Sequence, residues 1–350
     1  VERAERALLR KVESLNGLVP GKRLRTRFPR HPCLAFESLD GRVIGMLASD
    51  GDVVAWECGP VASLRDDWRA FRFQVARRLY GGADIASAAS ALRDLSIRLL
   101  EGAPPLPTEG PLCVVLAPAL GSLPVGALEY EGAPLIERLE PYHAPTAQPR
   151  ASPARRRRGS LLVGLHERGL PAVRRELSYL RRRLPGARML RGEDATREAV
   201  LSALGSAGLV HLAGHARARP DLPPLSALPL TRGWLTASDL ADVDLEGALV
   251  VLSACRTGDS SLRWRNEAWG GFPRALLATG ARALIASRWE VRDETAYAWM
   301  RTLYPLLCGK MNPEWALTQA ARRLRQRKET SHPADWAAFL LIRAGSAEDC

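Results

Sequence analysis

Residues 209–216 read LVHLAGHA and residues 248–258 read ALVVLSACRTG. Each is a short, unbroken apolar run that stops at a chemically capable side chain, His215 in the first and Cys255 in the second. Runs of this kind mark strands buried on both faces of a parallel sheet, and open α/β sheets carry their reacting groups just past the strands' carboxyl ends. An imidazole and a thiol at two such ends, 255 − 215 = 40 residues apart, form a candidate base and nucleophile. Gly214 and Gly258 flank the pair and permit the tight turns an exposed elbow needs. The proline-rich stretch between them, PDLPPLSALPLTRGWLTASDL (220–240), has the character of a substrate-binding wall.

Outward from this pair, apolar runs alternate with helical periodicity. SLLVGL (160–165) and Ala187–Leu190 read as strands, and 171–184 as a helix with Val173, Leu177, Leu180 and Leu184 on one face. Thr196 is placed to cap a helix ending at Gly205. Beyond Cys255, the spacing predicts helices over 270–279, 293–307 and 312–328, and strands in ARALIASRW (281–289) and WAAFLLIRAG (336–345). Strands alternating with helices imply an α/β fold, a mainly parallel sheet flanked by helices.

The first part of the chain carries no comparable His/Cys pair. Residues 4–15 have a helical apolar stripe, and three β-type runs (33–38, 42–49, 52–58) separated by Asp40-Gly41 and Asp50-Gly51 predict a meander of hairpins. Helices are expected over 62–80 and 85–101, then a strand in LCVVLAP (112–118), which makes Cys113 structural. The Pro/Ala/Ser-rich stretch 144–159, with Arg155 to Arg158 in succession, reads as a solvated tether. The expected organisation is therefore a non-catalytic companion part over 1–150, a basic linker over 151–159 and a catalytic part over 160–345.

Composition narrows the class further. A 46% hydrophobic, 25% charged chain of 350 residues is ordinary for a globular protein, and no apolar run reaches the ~20 residues of a membrane helix. The six scattered cysteines form no CxxC pair, which argues against a disulfide framework or zinc knuckle and for a reducing, cytoplasmic setting. The net charge of +12 comes from arginines spread along the whole chain, the pattern of solvated faces rather than of one nucleic-acid patch. No metal or organic cofactor is called for.

Taken together, AGHA (213–216), LVVLSACRTG (249–258), GGFPRALLATGARALIASRWEVRDE (270–294) and HPADWAAFLLIRAG (332–345) resemble the CHAT family of caspase-like cysteine peptidases, which share a fold with caspases and separase. The likeness extends upstream through LPAVRRELSYLRRRLPGARMLRGEDATREAVL (170–201) and, more loosely, into residues 112–137. It implies a caspase-like sheet whose N-terminal part is a pseudo-caspase-like companion domain. It also implies a dyad in which Cys255 attacks a peptide carbonyl and His215 moves the proton, with the backbone N–H groups of Ala216 and Cys255 forming the oxyanion hole. The family usually has glycine where this chain has Ala216, and a residue there that resists positive φ puts the shape of that loop in question.

The strand after the nucleophile adjoins the residue before the scissile bond in this fold. Ser287–Asp293 is therefore expected to line that pocket, with Trp289, Glu290 and Asp293 as candidate specificity residues, Trp289 being equally a candidate for the core. Asp293 equally suits the start of the following helix, where a capping role is favoured. His211, inside the apolar run, reads as a packed group supporting its strand. The resemblance further implies regulated cleavage of one or a few proteins in bacterial signalling or defence, under control of an upstream helical-repeat segment or partner, with no membrane involved. The rival reading is a catalytically silent interaction scaffold that binds nucleic acid through its arginines.

Overall fold

The computed structural model describes residues 31–49, 51–82, 84–117, 120–144, 157–165, 171–217, 219, 222–254, 271–309 and 312–343. In chain order the first elements are β1 (Cys33–Leu39), β2 (Arg42–Ser49), β3 (Asp52–Pro60), α1 (Val61–Leu79) and α2 (Ile85–Leu100). Then come β4 (Gly110–Leu116), the two-residue strands β5 (Glu129–Tyr130) and β6 (Ala133–Pro134), and β7 (Leu139–His143). The second part holds β8 (Ser160–Gly164), α3 (Pro171–Arg183), β9 (Arg188–Leu190), α4 (Arg197–Leu204) and β10 (Leu209–Gly214). β11 (Ala227–Pro229), β12 (Trp234–Thr236), β13 (Leu249–Ala254), α5 (Phe272–Ala278) and β14 (Ala283–Ser287) follow. The last described elements are α6 (Asp293–Cys308), α7 (Pro313–Arg325), α8 (Pro333–Trp336) and β15 (Phe339–Arg343). The expected helix over 4–15 lies outside the described residues.

Local chemistry explains several boundaries. Asp40 (φ 48°) and Gly41 (φ 77°) both take positive φ between the paired residues Leu39 and Arg42, the two-residue hairpin that an Asp-Gly pair favours. Thr196 accepts a hydrogen bond from the Ala199 N–H at the start of α4, and Asn312 from the Trp315 N–H at the start of α7. The closing strand is shorter than the apolar run suggests. His332 caps α8, which takes up Pro333–Trp336, and pairing starts only at Phe339.

Eleven strands form one sheet in the order β3-β2-β1-β4-β7-β15-β14-β13-β10-β8-β9. Strands β1, β4, β7 and β15 are mutually parallel, as are β14, β13, β10, β8 and β9, and β14 and β15 are antiparallel. The carboxyl ends of the two sets therefore point to opposite edges. Side chains of the second set alternate between two cores. Leu162, Ala213, Val251 and Ile285 face one side with α3 and α6, and Val163, Leu212, Leu252 and Leu284 face the other with α4 and α5. Burial on both faces is why these strands read as unbroken apolar runs.

Part of the basic stretch is not a solvated tether. The Arg157 side chain is 7% exposed, donates to the carbonyls of Glu246 and Gly205 and pairs with Asp244. It anchors the chain as it enters β8. The remaining expected tether, 145–156, lies outside the described residues.

Beside the seam where β15 opposes β14, β7 and β15 pair in parallel through His143 and Ile342. Arg288, which follows β14, donates from Nη2 to His143 Nε2 at 2.9 Å, so that nitrogen is unprotonated. Burial, with the Arg288 charge adding to it, holds the His143 pKa well below the usual histidine value. Burial also lowers that of His332. In the unfolded chain both rings regain a pKa of about 6.5, so unfolding below that pH takes up protons. Their contribution to stability is complete above about pH 6.5 and is lost as the pH falls below it. Urea midpoints measured from pH 7.5 down to 5 are expected to fall, with a shallower slope in His143→Gln.

Candidate active site

The parallel pair β10 and β13 is in register over its whole length, from Leu209 opposite Leu249 to Gly214 opposite Ala254. The chain leaves β10 at Gly214, which takes φ 147°. A Cβ there would fall 2.6 Å from the Leu165 Cβ and 2.7 Å from its carbonyl oxygen. The backbone comes this close because the Leu165 N–H donates to the Ala213 carbonyl at 2.8 Å, holding the end of β8 against the elbow. Gly214→Ala is expected to destabilise the protein by about 1–3 kcal/mol through overpacking and backbone strain, read as a lowered urea midpoint.

His215 follows the elbow and is exposed, and no described residue is hydrogen-bonded to its ring. Ala216 is half-buried and packs against the core that holds Leu212 and Leu252. Ala216 is not among the positive-φ residues, so a residue with a Cβ is unstrained in this loop. Its N–H has no acceptor among the described residues, whereas the next N–H, of Arg217, is taken by the Ala227 carbonyl at 2.8 Å. Cys255, expected as nucleophile and as second oxyanion donor, lies outside the described residues, as does Gly258. The residue before Cys255 in sequence, Ala254, is the partner of Gly214.

The candidate pocket residues occupy different environments. Trp289 is 2% exposed, packs edge-on against Phe71 of α1 and donates from Nε1 to the Ala334 carbonyl at 2.9 Å. It is a core residue. Glu290 is exposed. Asp293 is half-buried and is the first residue of α6 rather than its cap. That position belongs to Arg292, which makes no side-chain cap bond, so Asp293 acts on the helix through its charge near the amino end.

Three buried polar clusters support this edge of the sheet. His211 is fully buried, with Glu176 Oε1 2.7 Å from Nε2 and the Tyr304 hydroxyl 2.8 Å from Nδ1, which ties α3 and α6 to β10 beneath His215. Asp335 accepts from Arg78 Nε (2.7 Å), Arg292 Nη2 (3.2 Å) and the Thr295 hydroxyl (2.9 Å), while its carbonyl accepts from Trp299 Nε1. Arg288 meets His143, as described. Glu176 had a detectable signal in sequence, a carboxylate at the helical spacing of Val173 and Leu180. Tyr304, Asp335 and Arg288 had none that named a partner.

Three of the described thiols, Cys33, Cys58 and Cys308, are disfavoured as thiolates. Burial pushes the Cys58 thiol up to about 12, hydrogen bonding to Cys113 and burial raise that of Cys33, and burial raises that of Cys308. Among the described residues no group of His, Cys, Asp and Glu is arranged to hold a metal ion, and no helix is long and apolar enough to cross a membrane.

The fold has counterparts among solved structures. A crystal structure of the Saccharomyces cerevisiae separase–securin complex at 2.6 Å resolution aligns with a TM-score of 0.55 at 9% identity, covering 91% of this chain and 30% of that one. A second, at 3.0 Å, gives 0.50 at 11% identity, covering 67% and 15%. At such identities the likeness is one of fold, a separase-like α/β architecture. In sequence, tetratricopeptide repeat protein 28 of Homo sapiens is 28% identical over 216 residues, and that of Mus musculus 26% over 211. Each match spans 49% of this chain but only 8% of the relative's length. The CHAT domain family model matches residues 86–344, or 344 − 86 + 1 = 259 of the 350 residues, and the chain belongs to that family.

Proposed function

We propose that this CHAT domain is a cysteine endopeptidase that uses Cys255 and His215. The supporting observation is the in-register pairing of Gly214 with Ala254, since His215 and Cys255 are the next residues in the two strands' sequences. In the reaction His215 takes the thiol proton as the sulfur bonds to the peptide carbonyl carbon, and the N–H groups of Ala216 and Cys255 hold the oxyanion. The C–N bond then breaks, the imidazolium returns its proton to the amine, and water hydrolyses the thioester. No metal or cofactor enters these steps. Glu290 and Asp293 are the proposed selectors at the residue before the scissile bond, with Trp289 as a buried support beneath them; their charge suits a basic side chain.

In this reading 160–345 is the catalytic part and 1–150 its companion, although one sheet runs through both. The name of the tetratricopeptide repeat relatives supports a repeat segment or partner as the source of control, and a cytoplasmic bacterial signalling or defence setting suits a latent peptidase. The test is labelling with peptidyl acyloxymethyl ketones bearing Arg, Lys, Leu or Asp at the cleavage position, followed by mass mapping. An adduct on Cys255 that disappears in His215→Ala supports the dyad. Equal labelling of several cysteines, or none at Cys255 with its partner segment present, overturns it.

One observation favours a second reading, the silent scaffold. Helix α3 exposes Arg174, Arg175, Arg181, Arg182 and Arg183, and Arg175 stacks over Tyr297 of α6 at 4.5 Å. That surface suits an acidic partner or nucleic acid. Binding that falls steeply with salt and ignores Cys255→Ala is its signature.

A further inference from the structure

Arg288 is 5% exposed and makes no ion pair with any described carboxylate. Nη1 donates to the Leu123 carbonyl at 2.9 Å and Nη2 to His143 Nε2 at 2.9 Å, while the buried Nε has no hydrogen-bond partner. An isolated cation withdrawn from water is costly unless a countercharge reaches it. His143 supplies none, since it meets the guanidinium as a neutral acceptor. Arg288 also lines a pocket of about 30 Å³ beside the seam between the two strand sets. The other lining residues are mostly apolar, including Pro124, Ile136, Trp299 and Phe339, with Thr318 as a further polar one.

We propose that this cavity is a binding site for a small monovalent anion of the halide class, held by the Arg288 guanidinium. The volume accepts one such ion or about two waters. A tetrahedral oxyanion brings several acceptor oxygens, more than one guanidinium with two of its nitrogens already engaged can satisfy. A mostly apolar wall also selects a singly charged, weakly hydrated ion over a divalent one. Burial lowers the Arg288 pKa to about 9, a shift that an anion against the guanidinium would oppose. The ion would secure the region where β7, β15 and the end of β14 come together. The inference does not depend on peptidase activity.

Two measurements test it on the full chain. At constant ionic strength, replacing gluconate by chloride is expected to raise the Tm progressively, by several degrees over about a hundred-fold increase in chloride, and Arg288→Met to lose that dependence. Crystals of the unaltered protein soaked in bromide are expected to show an anomalous peak in contact with the Arg288 guanidinium. A chloride response unchanged in Arg288→Met overturns the proposal. So does a bromide map with only water in the cavity, and that map decides the matter alone if the variant does not fold.

Discussion

Cys255→Ala is expected to lower kcat/KM for peptide cleavage by about 10⁴-fold or more, with the fold intact. In the proposed mechanism, removing the thiol removes the covalent route, so the residual rate is only what positioning and oxyanion donors provide. His215→Ala is expected to cost nearly as much, and the double variant little more than either alone, since base and nucleophile act as one unit. Two features separate this from a folding defect. His215 is exposed and hydrogen-bonded to no described residue, so its loss leaves the core unchanged. The neighbouring buried imidazole, His211, is an internal control. Truncating it breaks contacts to Glu176 and Tyr304 and lowers stability first. The measurement is steady-state cleavage of the peptide selected by the labelling panel, with urea midpoints for each variant. Activity retained in Cys255→Ala would contradict the dyad.

How much of this was legible beforehand follows from what periodicity encodes. The runs ending at His215 and Cys255 were recognisable because strands buried on both faces carry unbroken apolar sequence, and they are neighbours in the sheet. The Asp40-Gly41 turn and the cap at Thr196 are legible because each depends on residues within four positions. The seam was not legible. Nothing local in LEPYH or FLLIR states that β7 and β15 run parallel, or that β15 opposes β14. Buried charge was equally opaque, because a periodic pattern shows where a side chain points and not which distant group meets it. Trp289 shows the difference within the candidate site. The family resemblance left it a candidate for pocket or core alike, and the contacts with Phe71 and Ala334 place it in the core.

Those contacts belong to a node that accounts for two stretches by which the chain resembles its family. SRWEVRD (287–293) and HPADW (332–336) lie some 40 residues apart and meet at Asp335. Trp289 Nε1 reaches the Ala334 carbonyl, and Trp299 Nε1 the Asp335 carbonyl. The Asp335 carboxylate, itself 3% exposed, receives Arg292 from the loop after β14 and Arg78 from α1. Asp335→Ala would strand two cations whose side chains are 13% and 34% exposed, together with the Thr295 hydroxyl. Removing one partner of a buried pair costs about 3–5 kcal/mol, since the remaining charge stays desolvated. Exposure of Arg292 places the effect towards the lower end, and Tm is expected to fall by roughly 10 °C. Asp335→Asn keeps the shape and one acceptor oxygen and is expected to lose less. Because Arg292 adjoins Glu290 and Asp293, Asp335→Ala should also raise KM for the preferred peptide more than Asp335→Asn does. A Tm within about 2 °C of the parent protein, well inside the range of an ordinary surface substitution, would show that the node contributes little.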